Sequence, residues 1–172
     1  MKPSVFALIA VGLLAGPARA AELVKPGEVF PAWTLSDHTG APVSSSSLAG
    51  RTYLLWFYPK AMTPGCTAEG EGLRNKYDDL KRAGVAVLGV SFDDPATNAE
   101  FVKQAAFPFP LLSDTTRALA VRAGAADSAD QRAARRISYL VGPDGRVLQA
   151  YGTVSPAAHA QQVLDDARAL PR

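Results

Sequence analysis

Apolar and polar positions change their period several times along the chain, and each change marks an element. Tyr53-Leu54-Leu55-Trp56-Phe57-Tyr58 is apolar or aromatic at every position and is stopped by Pro59, as expected of a central strand buried on both faces. From Cys66 the spacing turns helical: Leu73, Tyr77 and Leu80 recur at i, i+4 and i+7, and Gly84 supplies a stop. Val85-Ala86-Val87-Leu88-Gly89-Val90 reads as a second buried strand. Strand, helix, strand in this order needs a crossover, so the two strands are expected to be parallel neighbours.

Flanking segments extend the pattern. Pro26 to Leu35 followed by Ser36-Asp37-His38-Thr39-Gly40 reads as an extended entry and a turn. Asp93-Asp94-Pro95 starts another helix, with an aspartate as cap and proline in the first turn. Phe107 to Asp114 carries Pro108 and Pro110 and looks too proline-rich for an interior strand, while Thr115 to Ala123 can form a short helix. Ile137–Val141 and Val147–Tyr151 flank Pro143-Asp144-Gly145, a hairpin signal. A last helix is expected from Pro156, capped by Ser155, to near Ala169. Together these elements predict an α/β fold, a central mixed sheet with helices on both faces.

The beginning of the chain follows another logic. Lys2 precedes the apolar run Val5 to Leu14, which ends in Pro17 and the small-x-small pattern Ala18-Arg19-Ala20. Residues 1–20 read as a secretory signal peptide, leaving one domain over 21–172. The apolar run falls short of the roughly 20 residues a membrane span needs. Without Lys2 and Arg19 the basic and acidic residues balance, so charge gives no argument for a nucleic-acid partner. No amphipathic basic helix or second apolar span suggests a membrane partner after cleavage. Export points to the bacterial periplasm, an oxidising compartment.

In that compartment one cysteine is unusual, and Cys66 is the only one in the chain. It stands at the join of strand and helix, in Pro59-Lys60-Ala61-Met62-Thr63-Pro64-Gly65-Cys66-Thr67. Unpaired backbone N–H groups and the dipole at a helix start stabilise a thiolate. Pro59 and Pro64 stiffen the loop, Gly65 permits a tight turn, and Thr63 can hydrogen-bond at the reacting sulfur. The competing reading of Cys66 as a small buried hydrophobe explains none of these neighbours.

The same residues carry a resemblance. Pro59-x-x-x-Thr63-x-x-Cys66 resembles the active-site loop of peroxiredoxins, and Thr63-Pro64-Gly65-Cys66-Thr67 is similar to the bacterioferritin comigratory protein, or Q-type, branch. Gly89 to Asp93, Phe109 to Asp114 and Arg136 to Gly145 match as well, so the likeness covers nearly the whole mature chain. It implies a thioredoxin-like fold and a thiol peroxidase, an oxidoreductase with Cys66 as peroxidatic nucleophile. Thr63 and Arg136 fall on the family's catalytic threonine and arginine, and Pro59 on the proline that shields the substrate pocket. Arg135 is then left as a surface residue. His159 matches a histidine of the same branch, but its polar surroundings point to a surface or packing role.

The chain departs from the branch at Glu71, where many members carry a resolving cysteine. An internal disulfide is excluded by count. What remains is a one-cysteine cycle in which an external thiol, thioredoxin-like, glutaredoxin-like or small, reduces the sulfenic acid, or a disulfide between two copies. Hydrogen peroxide or an alkyl hydroperoxide is the expected substrate, with the protein a monomer or weak homodimer. Gly70 and Gly72 weaken the start of the helix, which suggests that it frays to admit the reductant. A thiol-disulfide oxidoreductase would need Cys-x-x-Cys, which is absent. The other alternative is a non-catalytic thioredoxin-like binding module with a decayed site. No cofactor or metal is expected, since Cys66, His38 and His159 show no ligand spacing.

Overall fold

The computed structural model describes residues 22–170, so the expected signal peptide lies outside the described residues. The extended entry becomes β1 (Thr34–Asp37), and a turn at Gly40 leads to β2 (Pro42–Ser44). The aromatic run forms β3 (Thr52–Phe57), followed by helices α1 (Pro64–Asn75) and α2 (Tyr77–Arg82) and by β4 (Val85–Ser91). Then come α3 (Pro95–Ala105), β5 (Leu111–Ser113), α4 (Ala118–Arg122), β6 (Ile137–Val141), β7 (Val147–Tyr151) and α5 (His159–Ala169).

The strands make one sheet in the order β2-β1-β5-β4-β3-β6-β7. As the crossover argument requires, β3 and β4 are parallel, with Phe57 opposite Val90; β6 pairs antiparallel on the other side, with Ile137 opposite Phe57. Side chains of β3 alternate between two cores. Leu54 and Trp56 point toward Leu73, Leu80, Phe101, Phe107, Val163 and Leu164, contributed mainly by helices. Tyr53, Leu55 and Phe57 point toward Phe30, Trp33, Leu119 and Tyr139. Helices therefore flank the sheet, and Cys66 belongs to the first core.

Several boundaries differ from the sequence expectation, each for a local reason. The single helix expected up to Gly84 is two, because Lys76 leaves helical geometry at φ −104°, ψ 6°. The proline-rich segment does contain an interior strand, β5 between β1 and β4. It starts just after Pro110, whose carbonyl accepts the Gly89 N–H at 3.0 Å, so proline's missing donor is never required. α4 is shorter than expected, as Arg117 adopts a left-handed conformation with φ 61°. α5 begins at His159 rather than Pro156; the Ser155 carbonyl accepts N–H groups from both Ala158 and His159 across the intervening turn. Asp94 caps α3 as expected, its carboxylate accepting the Thr97 N–H at 2.7 Å.

Candidate active site

The end of β3 and the start of α1 converge on Cys66. Tyr58 continues the ladder by donating its N–H to the Val90 carbonyl at 3.0 Å, and half-buried Pro59 then turns the chain out of the sheet. Asp93, just past β4, accepts the Ala61 N–H at 2.8 Å and faces the Lys60 ammonium at 3.7 Å, which ties the loop to the sheet. Asp93 is in turn tied to a buried polar knot. Its N–H donates to Ser91 Oγ, and Asn98 joins Tyr58, Ser91 and Ser113.

Thr63 is the N-cap of α1, yet its side chain does not cap the helix. Its hydroxyl donates to the Lys60 carbonyl at 2.9 Å instead. The first-turn N–H groups, including those near Cys66, therefore keep their capacity to hold an anion.

Cys66 is fully buried. Arg136, immediately before β6, places Nη2 at 3.4 Å from its sulfur. The approach depends on Gly65, where a Cβ would stand 3.1 Å from the same nitrogen. Nη1 of Arg136 donates to Glu69 Oε2. Burial pulls the arginine's pKa down, but Glu69 and the Cys66 sulfur more than compensate and hold it above its ordinary value. Glu69 is wholly buried, and that burial raises its carboxyl above the usual range despite the opposing pull of Arg136 and the Trp56 N–H.

The structure thus brings Cys66 and Arg136 into contact and sets Thr63 at the start of the helix that carries Cys66, while Pro59 stands where the chain leaves the sheet. Arg135, one residue earlier, is directed away and pairs with Asp127 at 2.5 Å. Among the described residues no group of three or more His, Cys, Asp or Glu side chains is placed to hold a metal, and no helix is long and apolar enough to cross a membrane.

A cysteine at a helix start, an arginine on its sulfur and a mixed sheet beneath them can be compared with known proteins. The model of the AhpC/TSA family matches residues 26–150. The chain belongs to this family. Peroxiredoxin Bcp of Escherichia coli (strain K12) is 35% identical over 147 residues, 83% of this chain and 94% of that protein. The crystal structure of peroxidoxin BcpB from Mycobacterium tuberculosis aligns with a TM-score of 0.81 and 30% identity, covering 87% of this chain and 99% of that one. Xanthomonas campestris peroxiredoxin Q aligns at 0.75 and 32% identity, covering 87% and 98%. The chain is accordingly a peroxiredoxin, an oxidoreductase of thioredoxin-like fold related to the Bcp and Q proteins.

In this peroxiredoxin the sequence left the roles of Glu69 and Asp93 unseen and the burial of His159 unmarked. Glu69 was visible only as an acidic residue in the first turns of α1, not as the buried partner of Arg136. Asp93 looked like part of a helix cap. His159, expected in polar surroundings, is fully buried, with Nε2 at 2.9 Å from Ser138 Oγ and 3.9 Å from Glu69 Oε1. One signal did exist: His159, Ala160, Val163, Leu164 and Ala167 form the buried stripe of α5, a helical pattern masked by small residues.

Proposed function

We propose that this peroxiredoxin reduces hydrogen peroxide and organic hydroperoxides at Cys66 and is recycled by an external thiol. The observation that carries the reading is the Arg136 Nη2 contact at 3.4 Å on the chain's only cysteine, at the first turn of a helix. A cationic donor and helix N–H groups there meet the charge that develops during attack.

In the first half-reaction the Cys66 thiolate attacks the nearer peroxide oxygen in line with the O–O bond. An S–O bond forms as the O–O bond breaks, and sulfur is oxidised by two electrons to sulfenic acid. The leaving oxygen takes a proton and departs as water or an alcohol. Arg136 polarises the breaking bond. Thr63, whose hydroxyl proton is engaged by the Lys60 carbonyl, presents its oxygen as an acceptor for the peroxide O–H. Pro59 shields the pocket from water.

In the second half-reaction an external thiol attacks the sulfenic sulfur, releases water and leaves a mixed disulfide. A second thiol attacks that bond, giving a disulfide product and the Cys66 thiol. The reductant is a thioredoxin-like or glutaredoxin-like protein or a small thiol. Glu71, where a resolving cysteine would stand, instead faces Arg74 at 3.7 Å. The mature protein, beginning at Ala21, works in the periplasm as a monomer or weak homodimer. Recovery in an osmotic-shock fraction with Ala21 at the N-terminus is the expected result for its location.

The decisive experiment adds hydrogen peroxide to the protein and to Cys66→Ser, follows peroxide loss with each class of thiol, and traps sulfenic acid by mass spectrometry. A Cys66 adduct and thiol-dependent turnover are expected from the wild type alone. Equal peroxide loss in both proteins, with no adduct, would refute the reading.

A further inference from the structure

Behind Arg136 lies a buried polar group that the proposed chemistry does not use. Glu69 Oε2 accepts from Arg136, while Oε1 makes no hydrogen bond among the described residues and faces His159 Nε2 at 3.9 Å. His159 has no exposed surface. Its Nε2 lies 2.9 Å from Ser138 Oγ on β6, and its ring meets Tyr151 of β7 edge-on with centroids 5.1 Å apart. Elements on three sides therefore fix the imidazole, with α1 presenting the carboxylate to it.

The tautomer follows from the contacts. Nδ1 is buried without a partner among the described residues. A buried N–H left without an acceptor is rarer and costlier than an unused acceptor. The proton therefore sits on Nε2, which donates it to Ser138 Oγ and keeps the electropositive edge of the ring 3.9 Å from Glu69 Oε1. The opposite tautomer would set a nitrogen lone pair against a carboxylate. The Trp56 indole N–H, also without a hydrogen bond of its own, favours the ionised Glu69 from another direction.

We infer that His159 is a positioning residue of the peroxidatic site: held by Ser138, its imidazole sets its Nε2 edge 3.9 Å from the free oxygen of Glu69 and holds that carboxylate in place by electrostatic attraction, so that Glu69 aims Arg136 at the Cys66 sulfur. The inference rests on the peroxidase reading above. Without the imidazole, the carboxylate can rotate or take a proton, and either change loosens its charge-assisted bond to Arg136. The arginine then loses its aim at the reacting oxygen while remaining a positive charge near the sulfur.

That distinction selects the test. The rate constants of Cys66 with hydrogen peroxide and with iodoacetamide are measured for the full chain, His159→Leu and His159→Gln, beside the thermal midpoint of each. Alkylation needs a thiolate but no aimed guanidinium. His159→Leu is expected to lower the peroxide rate about tenfold while changing alkylation less than about threefold, the scale of one charge-assisted hydrogen bond. His159→Gln, whose amide N–H can replace Nε2–H, is expected to recover most of the loss even if it melts no higher than the leucine variant. The inference is overturned if His159→Leu keeps the wild-type peroxide rate, if both rates fall together, or if glutamine is no better than leucine. If wild type consumes peroxide no faster than Cys66→Ser, the peroxidase reading itself fails and takes the inference with it. Should His159→Leu not fold, His159→Asn, too short to reach both Ser138 and Glu69, carries the same expectation.

Discussion

Arg136 divides its guanidinium between two acids, Nη1 to Glu69 and Nη2 to the Cys66 sulfur, and only a planar fork can serve both at fixed spacing. A lysine there would supply the charge at one point. Arg136→Lys is therefore expected to lower the rate of peroxide reduction about a hundredfold, comparable with the loss of a preorganised donor. A stopped-flow assay at several peroxide concentrations checks this, and a lysine variant as fast as wild type would show that charge alone suffices. Thr63→Val tests a different property. Valine keeps the shape but has no oxygen to orient the peroxide, so a fall in peroxide rate with little change in alkylation is expected.

At the scale of an element, α1 carries two glycines that look alike in the sequence but differ in their surroundings. A Cβ on Gly70 would stand 2.4 Å from Phe107 and 3.0 Å from Trp56, so this glycine lets the helix approach an aromatic wall. A Cβ on Gly72 would meet Ala160 at 3.5 Å, an ordinary contact. Helix propensity alone predicts that alanine stabilises both sites. Packing predicts instead that Gly70→Ala costs about 1–3 kcal/mol through overpacking, while Gly72→Ala gains about 0.5–1 kcal/mol. Urea unfolding of the two variants decides, and a stabilised Gly70→Ala would show that the aromatic wall yields. Fraying of this segment, expected from its two glycines, meets resistance from the burial of Cys66, Glu69, Gly70 and Leu73. Hydrogen exchange over 67–72 as slow as in the later turns of α1 is the result this packing predicts.

For the whole molecule, the buried cluster joins stability to pH. Burial first, and the charge of Arg136 second, push His159 down to about 4, whereas an unfolded histidine titrates near 6.5. Between those values the unfolded chain binds a proton that the folded chain refuses, so stability is lost as pH falls through this window. The loss is on the order of 3 kcal/mol, and His159→Gln should flatten it. Glu69 acts with the opposite sign, since its raised pKa lets the folded chain take up a proton first. The difference between the two proteins' melting curves from about pH 6.5 to about pH 4 thus isolates the histidine, and identical slopes would remove it as the cause. Much of this architecture was legible beforehand. The period of the apolar run announced β3, the crossover made β4 its parallel neighbour, and Asp94 before Pro95 marked the start of α3; all are local or nearest-neighbour properties. Cys66 and its helix start were legible for the same reason. Glu69 and Asp93 were not, because nothing local distinguishes a solvated acid from one whose desolvation is offset by a partner far along the chain, and His159 was marked only by the small-residue stripe of α5, which gives no sign of its polar partners. Arg136 pairs with Glu69 across 67 positions, and His159 reaches Ser138 across 21. The sequence by itself determined the candidate nucleophile, the order of the elements and the absence of a second cysteine. Only the tertiary structure decided which charges share the low-dielectric interior with that nucleophile, and so what aims at it.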